Sequence, residues 1–196
     1  LSSIITNVSC FNGADGAIDM TVTGGTSPYT YSWTNSYPIQ MAYTTVDITG
    51  VTADTYTAKI VDSKGCIAEL ASLVDQPLAP LASTITVTDV DCNGGTDGSI
   101  NLDVTGGTTA YSYAWDNGST TEDLNTISAG NYVVTITDAM NCVLIDSGLV
   151  NEPAAPLAVT MVSKDVSCNG GNDGEIDLDV TGGTEPYLYT WSNSAA

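Results

Sequence analysis

Cysteines are the side chains of this 196-residue sequence whose spacing points most clearly to chemistry. Each of three head cysteines stands at the same distance before a tryptophan, and each of two further cysteines stands at the same distance before the next head cysteine. Because the sequence has no histidine and no CxxC pair, this pattern favours disulfides over zinc and predicts an extracellular protein, with a free buried thiol as the alternative. The head cysteines are Cys10, Cys92 and Cys168, and the residues expected in disulfides are Cys10, Cys66, Cys92 and Cys142.

Recurring aspartates are a second set with possible chemistry, since calcium prefers carboxylate oxygens. An EF-hand is excluded, because the loop that opens at Asp89 has Ile100 where a bidentate glutamate is required. Aspartate before glycine is typical of turns, so turns are expected and calcium at the ends of the domains stays an open alternative; no other cofactor is expected. The recurring residues are Asp15, Asp97, Asp173, Asp62 and Asp138.

One aromatic pattern, Tyr-x-Tyr-x-Trp, follows a glycine pair in three copies, as in VTGGTSPYTYSW. Side chains two apart on a strand share a face, so each triplet lies on one side of its strand. A small domain needs large buried side chains, which favours a core position; an exposed platform that grips sugar is the alternative. The aromatic residues expected in the core are Tyr29, Tyr31, Trp33, Tyr111, Tyr113, Trp115, Tyr187, Tyr189 and Trp191.

The elements that must position these residues are β-strands. In GAIDMTVTGG, Ile18 and Met20 alternate with polar residues, and in TYTAKIVD, Tyr56, Ala58 and Ile60 do the same. Alternation with period two is typical of a half-buried strand, and no stretch has helical periodicity. The sequence therefore predicts an all-β protein built of small antiparallel sandwiches of immunoglobulin-like order.

Two proline-containing joints, VDQPLAPLA and VNEPAAPLA, divide the chain. Proline stiffens the backbone, so we expect short, semi-rigid connections. The predicted units are a repeat at residues 1–78, a second at 79–154 and the opening part of a third at 155–196, within a longer array.

Two disulfide pairings are open. Pairing within repeats would join Cys10 to Cys66 and Cys92 to Cys142. In an immunoglobulin-like order, however, the two cysteines of one repeat lie at opposite ends of the sandwich, too far apart for a bridge. Pairing across the joint would join Cys10 to Cys142 and leave Cys66 and Cys92 for neighbours outside the chain.

Net charge narrows the possible functions. The sequence has 23 acidic and 3 basic residues, for a formal charge of −20. This excludes the basic surface that nucleic-acid binding needs and disfavours anionic membranes. Without histidine, the commonest general base is missing, and we expect no enzyme; no apolar run is long enough to span a bilayer.

The combination C-x4-DG-[ASE]-I, VTGGT-x2-Y-x-Y-x-W and D-x3-C resembles the SprB repeat over the whole chain. That resemblance implies tandem immunoglobulin-like domains of very large, mobile cell-surface adhesins, which gliding Bacteroidota export by type IX secretion. It implies no catalytic residues. The chain departs from the pattern at Asn141, where a glycine usually precedes the second cysteine, and in an insertion around residues 36–44.

Two functions follow as hypotheses. The repeats form a stalk, an acidic spacer filament that carries an adhesive tip and contacts neighbouring repeats and the gliding machinery. Alternatively, each repeat binds polysaccharide or another surface ligand. The inward aromatic residues favour the stalk.

Overall fold

Strands make up all the regular structure of the computed structural model, which describes residues 1–37 and 41–192. Within these ranges there is no helix, so none that could span a membrane. The all-β prediction is confirmed, while part of the predicted insertion, residues 38–40, lies outside the described residues. The strands are β1 Ser2–Thr6, β2 Gly16–Thr21, β3 Thr30–Thr34, β4 Ile48–Val51, β5 Asp54–Val61, β6 Ile67–Val74, β7 Ala82–Thr88, β8 Gly98–Thr105, β9 Ser112–Trp115, β10 Leu124–Ile127, β11 Gly130–Thr137, β12 Val143–Val150, β13 Ala158–Lys164 and β14 Glu175–Thr181.

The first repeat consists of two antiparallel sheets with the strand orders β1-β2-β4 and β3-β5-β6. Both sheets contribute to one core, in which Ile18 from β2 and Trp33 from β3 belong to the same buried cluster. This is the A-B-E and C-F-G arrangement of an immunoglobulin-like sandwich. The Tyr56 hydroxyl also donates to the Thr52 carbonyl at 3.0 Å, which is the tyrosine corner expected at the start of strand F.

The apolar residues that alternate with polar ones in the sequence are the buried residues of these strands. On β5, Tyr56, Ala58 and Ile60 are only 2%, 1% and 3% exposed, and on β2, Ile18 and Met20 are likewise buried. Each fully buried large aliphatic side chain contributes about 1.5–3 kcal/mol, which is enough to fix the strand register. The strand predictions for these two segments are confirmed.

The second repeat has the same strand order, in sheets β10-β8-β7 and β12-β11-β9. The Tyr132 hydroxyl repeats the tyrosine corner with the Ser128 carbonyl at 3.0 Å. The residues at matching positions are buried again; they are Val90, Ile100, Leu102, Trp115, Leu124, Val134, Ile136 and Val150.

The described part of the third repeat contains one antiparallel pair, β13 with β14, in register from Ala158 opposite Thr181 to Lys164 opposite Glu175. Within residues 155–192, which the structure describes, no second sheet covers the inner face of the pair, because the equivalents of β5 and β6 are not among the residues of this chain. Ile176, whose counterparts are fully buried, is 52% exposed as a result.

By its internal contacts, the chain divides into two compact units. One comprises Leu1–Ser83, Val104–Ser112 and Thr135–Leu144, and the other comprises Thr84–Asp103, Tyr113–Val134 and the chain from Ile145 onward. The first unit thus combines the first repeat with the joint and with loops of the second repeat. The boundaries predicted after Leu78 and Ala154 stay a prediction.

Candidate functional site at the cysteine junction

A disulfide joins Cys10 to Cys142, which are 132 residues apart in the sequence and 5.8 Å apart between Cα atoms. Cys10 follows the first strand of the first repeat, and Cys142 precedes the last strand of the second. Of the two pairings that the sequence left open, the structure has the one across the joint. The two predicted repeats are therefore covalently linked twice, by the chain itself and by this bond.

The remaining cysteines, Cys66, Cys92 and Cys168, are exposed free thiols. This corrects the expectation that Cys66 and Cys92 are disulfide-bonded here. The physical reason lies in the pairing scheme, because a bond that skips from one repeat to the next leaves these two positions without a partner inside the chain.

Asp138 organises the turn that presents Cys142. Its Oδ1 accepts the backbone N–H groups of Met140 and Cys142 at 2.8 and 2.9 Å, and its Oδ2 accepts that of Thr108 at 2.8 Å. The side chain is only 4% exposed. Burial raises the pKa of Asp138, but these three N–H groups outweigh it and hold the pKa below its usual value.

Asp62 forms the same turn in the first repeat, where its Oδ1 accepts the N–H of Cys66 at 2.9 Å and its Oδ2 that of Thr26 at 2.9 Å. The N–H groups of Cys66 and Thr26 lower the pKa of Asp62. The turn at Cys66 is thus built like the turn at Cys142, although Cys66 carries no bond.

The aspartates before glycine also accept backbone hydrogen bonds. Asp15 and Asp173 accept the N–H groups of Ser9 and Ser167, each at 3.0 Å, and hydrogen bonds from these serines lower the pKa of both carboxyls. Within residues 1–37 and 41–192, no group of three or more His, Cys, Asp or Glu side chains is placed to hold a metal ion. These hydrogen bonds agree with the interpretation of the recurring aspartates as turn residues.

Hydrogen bonds hold the joint against the first repeat. The Gln76 Oε1 accepts the Asn12 N–H at 2.8 Å, and the Val8 N–H donates to the Asp75 carbonyl at 2.8 Å. The second repeat has the equivalent bond from the Gly94 N–H to Glu152 at 2.5 Å. Sequence reasoning missed this role, although DQP and NEP place a Gln or Glu side chain at matching positions.

The joint is held against the second repeat as well. The Gly107 N–H donates to the Ala79 carbonyl at 3.0 Å. Gly106 and Gly107 have φ angles of 72° and 56°, the left-handed region that glycine adopts at little cost. A Cβ at Gly106 would meet the Pro80 carbonyl oxygen, so this close approach also requires glycine.

A protein-family model described as "SprB repeat" matches residues 2–37, 84–120 and 160–196, together more than half of the chain. The chain belongs to the SprB repeat family. The comparison with curated proteins found no match.

Two solved structures are similar to the chain. One is described as an amphioxus IgVJ-C2 molecule, with a TM-score of 0.34 and 11% identity over 74% of this chain and 99% of that one. The other is described as Dpr11 IG1 bound to DIP-gamma IG+IG2, with a TM-score of 0.33 and 12% identity over 77% of this chain and 98% of that one. At these TM-scores the similarities add nothing to the SprB-repeat fold described above.

The aromatic triplets of the SprB repeats lie mainly inward. Trp33 and Trp115 are 0% and 4% exposed, and their Nε1–H groups donate to the carbonyls of Thr45 at 3.0 Å and Thr121 at 2.9 Å. Tyr29 and Tyr31 are half-buried and pack against the first core. Tyr111 and Tyr113 are half-buried too.

One aromatic expectation is wrong. Tyr189 is 55% exposed, and no strand forms at residues 187–191, whereas Tyr187 and Trp191 are half-buried. In the first two repeats, the strand that carries the second tyrosine and the tryptophan of the triplet, β3 or β9, pairs with β5 or β11. The equivalent of that partner strand is not among the residues of this chain.

Proposed function

We propose that this chain is a spacer segment in the stalk of a large cell-surface adhesin that serves gliding motility and surface attachment after type IX export. SprB repeats belong to cell-surface proteins, and the Cys10–Cys142 disulfide fits an extracellular location. The gliding role and the export route come from the family alone.

The observation that carries the proposal is the disulfide between consecutive repeats. A stalk transmits force along its chain, including across the connections between its domains. The Cys10–Cys142 bond bypasses the joint, so tension between Cys10 and Cys142 passes through two sulfur atoms instead of through the hydrogen bonds of the chain segment between them.

Charge supports the same role. A formal charge of −20 with 3 basic residues gives a surface that repels its neighbours and stays soluble. We propose no catalytic role. The partners we propose for this segment are neighbouring repeats and, through the family, the gliding machinery; nucleic acid and membrane are not among them.

Ligand binding by each repeat is the competing function, and the buried indoles argue against it. A sugar platform needs exposed aromatic faces, whereas Trp33 and Trp115 are closed off inside their sandwiches. A glycan array probed with the oxidised chain is expected to show no binding. Specific binding that is lost on substituting exposed aromatic residues such as Tyr37, which is 72% exposed, would favour the competing function.

Single-molecule stretching of the full chain tests the spacer function directly. With the disulfide intact, the 132-residue separation between Cys10 and Cys142 stays locked, and reduction should add about 450 Å of contour length. The Cys10→Ser/Cys142→Ser variant should show this extra length without reductant, whereas the matched Cys66→Ser/Cys92→Ser variant should behave like the parent chain. Equal contour lengths with and without reductant would contradict the proposal.

A further inference from the structure

A cavity opens at the end of the first repeat, beside the free thiol of Cys66. Its volume is about 240 Å³, and its lining includes Leu1, Gly24, Gly25, Tyr29, Asp62 and Cys66. A Cβ added to Gly24 would meet no atom within 4 Å. This end of the first sandwich is therefore open at the glycine pair.

The matching place in the second repeat is filled by the preceding joint. The Ala79 carbonyl accepts the Gly107 N–H at 3.0 Å, Pro80 lies against Gly106, and the Leu81 side chain lies 3.3 Å from a Cβ built on Gly107. In the third repeat the joint does the same, since the Ala155 carbonyl accepts the Gly183 N–H at 2.9 Å. Within residues 1–37 and 41–192, no carbonyl takes this place at Gly25.

The free cysteines Cys66 and Cys92 lie in turns with the same backbone hydrogen bonds as the disulfide-bonded cysteines. Cys66 and Cys142 each donate their N–H to an aspartate, Asp62 or Asp138, at 2.9 Å. The carbonyl of the bonded head cysteine Cys10 accepts an N–H from Gly13 at 2.8 Å, and that of the free head cysteine Cys92 accepts one from Gly95 at 2.9 Å. One pair of these turns already forms a disulfide, and the turns at the free cysteines have the same backbone hydrogen bonds as that pair.

We propose that the Cys66 end of the first repeat is a docking site for another SprB repeat, which would contact it through the end that carries its head cysteine and through the joint that follows. The Ala-Pro-Leu sequence of that joint would fill the cavity and give its alanine carbonyl to the Gly25 N–H. The head cysteine of the same docking repeat would form a disulfide with Cys66, and Cys92 is a head cysteine free for such a bond. In a series of repeats, a disulfide would then span every joint and link each repeat to the next.

The bond forms by oxidation of two thiols. The sulfur atoms lose two protons and two electrons, and a disulfide oxidant, such as an oxidised dithiol oxidoreductase or oxidised glutathione, accepts them. The proposal goes beyond the spacer function and does not depend on gliding.

A concatemer tests the pairing. Residues 1–158 of one copy are placed before the full chain, so that Ala158 precedes Leu1 in the way that it precedes Val159 in the chain. After refolding with reduced and oxidised glutathione, non-reducing peptide mapping should show a peptide in which Cys92 is joined to Cys66. The proposal is overturned if this peptide is not found while the Cys10–Cys142 bond has formed.

A matched pair of variants identifies the partners. Cys66→Ser in the following copy should abolish the peptide that joins Cys92 to Cys66. The same substitution in the leading copy should leave that peptide intact. If both substitutions have the same effect, the pairing is not the one proposed.

Gly24→Ala tests docking without the disulfide. In the single chain the new methyl group meets open space. Any loss of stability there comes only from the strain of an alanine at a φ angle of 78°. In the following copy of the concatemer it would meet a proline carbonyl, as it would at Gly106. The fall in melting temperature should therefore be clearly larger in the concatemer, and equal falls in the two proteins would overturn the docking.

Discussion

Asp138 Oδ1 accepts the backbone N–H of Cys142 at 2.9 Å, and Cys142 is covalently bonded to Cys10. A buried carboxylate thus fixes the turn from which the disulfide crosses the joint. Asp62 Oδ1 accepts the N–H of Cys66 at the same distance, beside a thiol that is free. Because the two turns share the carboxylate and only one has a disulfide, a comparison of the two separates the role of the carboxylate from that of the disulfide.

Acid should destabilise the chain through these turns. Asp138 and Asp62 both have pKa values below the ordinary 3.8, so their contribution to stability is fully present above that value. The contribution is lost as the pH falls from about 4 through the folded-state pKa values. Guanidinium unfolding between pH 7 and pH 2 should show an unfolding free energy that is constant near neutrality and falls below about pH 4.

Asp138→Asn isolates one of these groups. The amide that replaces the carboxylate must face the Thr108 N–H with one side and the N–H groups of Met140 and Cys142 with the other, and one of its two sides is a donor. We expect a loss of about 1–3 kcal/mol at pH 7 that shrinks in acid. Asp116→Asn, on an exposed carboxylate, is the control and should change little. A constant difference between Asp138→Asn and the parent chain down to pH 2 would contradict the assignment.

Removing the junction disulfide should lower stability far more than removing free thiols. A loop closed over 132 residues contributes about 5 kcal/mol in the chain-entropy model, which is an upper figure. Cys10→Ser/Cys142→Ser should therefore unfold at a clearly lower denaturant concentration. The control, Cys66→Ser/Cys92→Ser, deletes the same atoms from exposed sites and should unfold with the parent.

The measurement is chemical denaturation without reductant, followed by the same titration with reductant. Reductant should bring the parent chain down to the stability of the Cys10→Ser/Cys142→Ser variant and leave that variant unchanged. A parent chain that is insensitive to reductant would show that the bond contributes nothing to stability.

The sequence predicts a strand well where one face of the strand is apolar. In β2, for example, Ile18 and Met20 are buried while Asp19 between them is exposed. The sequence of β6 does not alternate clearly, because Ile67 and Leu73 are apolar but point outward, with 59% and 58% of their surface exposed.

The junction was less predictable. The sequence identifies the recurring aspartates as turn residues, and the spacing of the cysteines predicts disulfides. The choice of Cys142 as the partner of Cys10 depends on how consecutive repeats dock, which no local pattern encodes. The exposure of Tyr189 depends in the same way on a strand that is distant in the sequence.

Calcium chelation should leave stability unchanged. The carboxylate oxygens of Asp62 and Asp138 are engaged with backbone N–H groups, and turn formation needs no cation. Melting curves in EDTA and in millimolar calcium should coincide. A melting temperature that falls in EDTA and recovers with calcium, but not with magnesium, would replace the turn interpretation by a metal site.

Trp33 should be the side chain on which the first sandwich depends most. The indole is 0% exposed and belongs to the core to which both sheets contribute, so Trp33→Ala leaves a large cavity and an unbonded Thr45 carbonyl. We expect a loss of about 3–5 kcal/mol. Tyr37→Ala, at a side chain that is 72% exposed, is the matched aromatic control and should cost little. Acrylamide quenching should agree, with Trp33 and Trp115 protected and the half-buried Trp191 quenched first. Efficient quenching of all three indoles in the folded chain would place the aromatic triplets on the surface and return the sugar platform as the leading function.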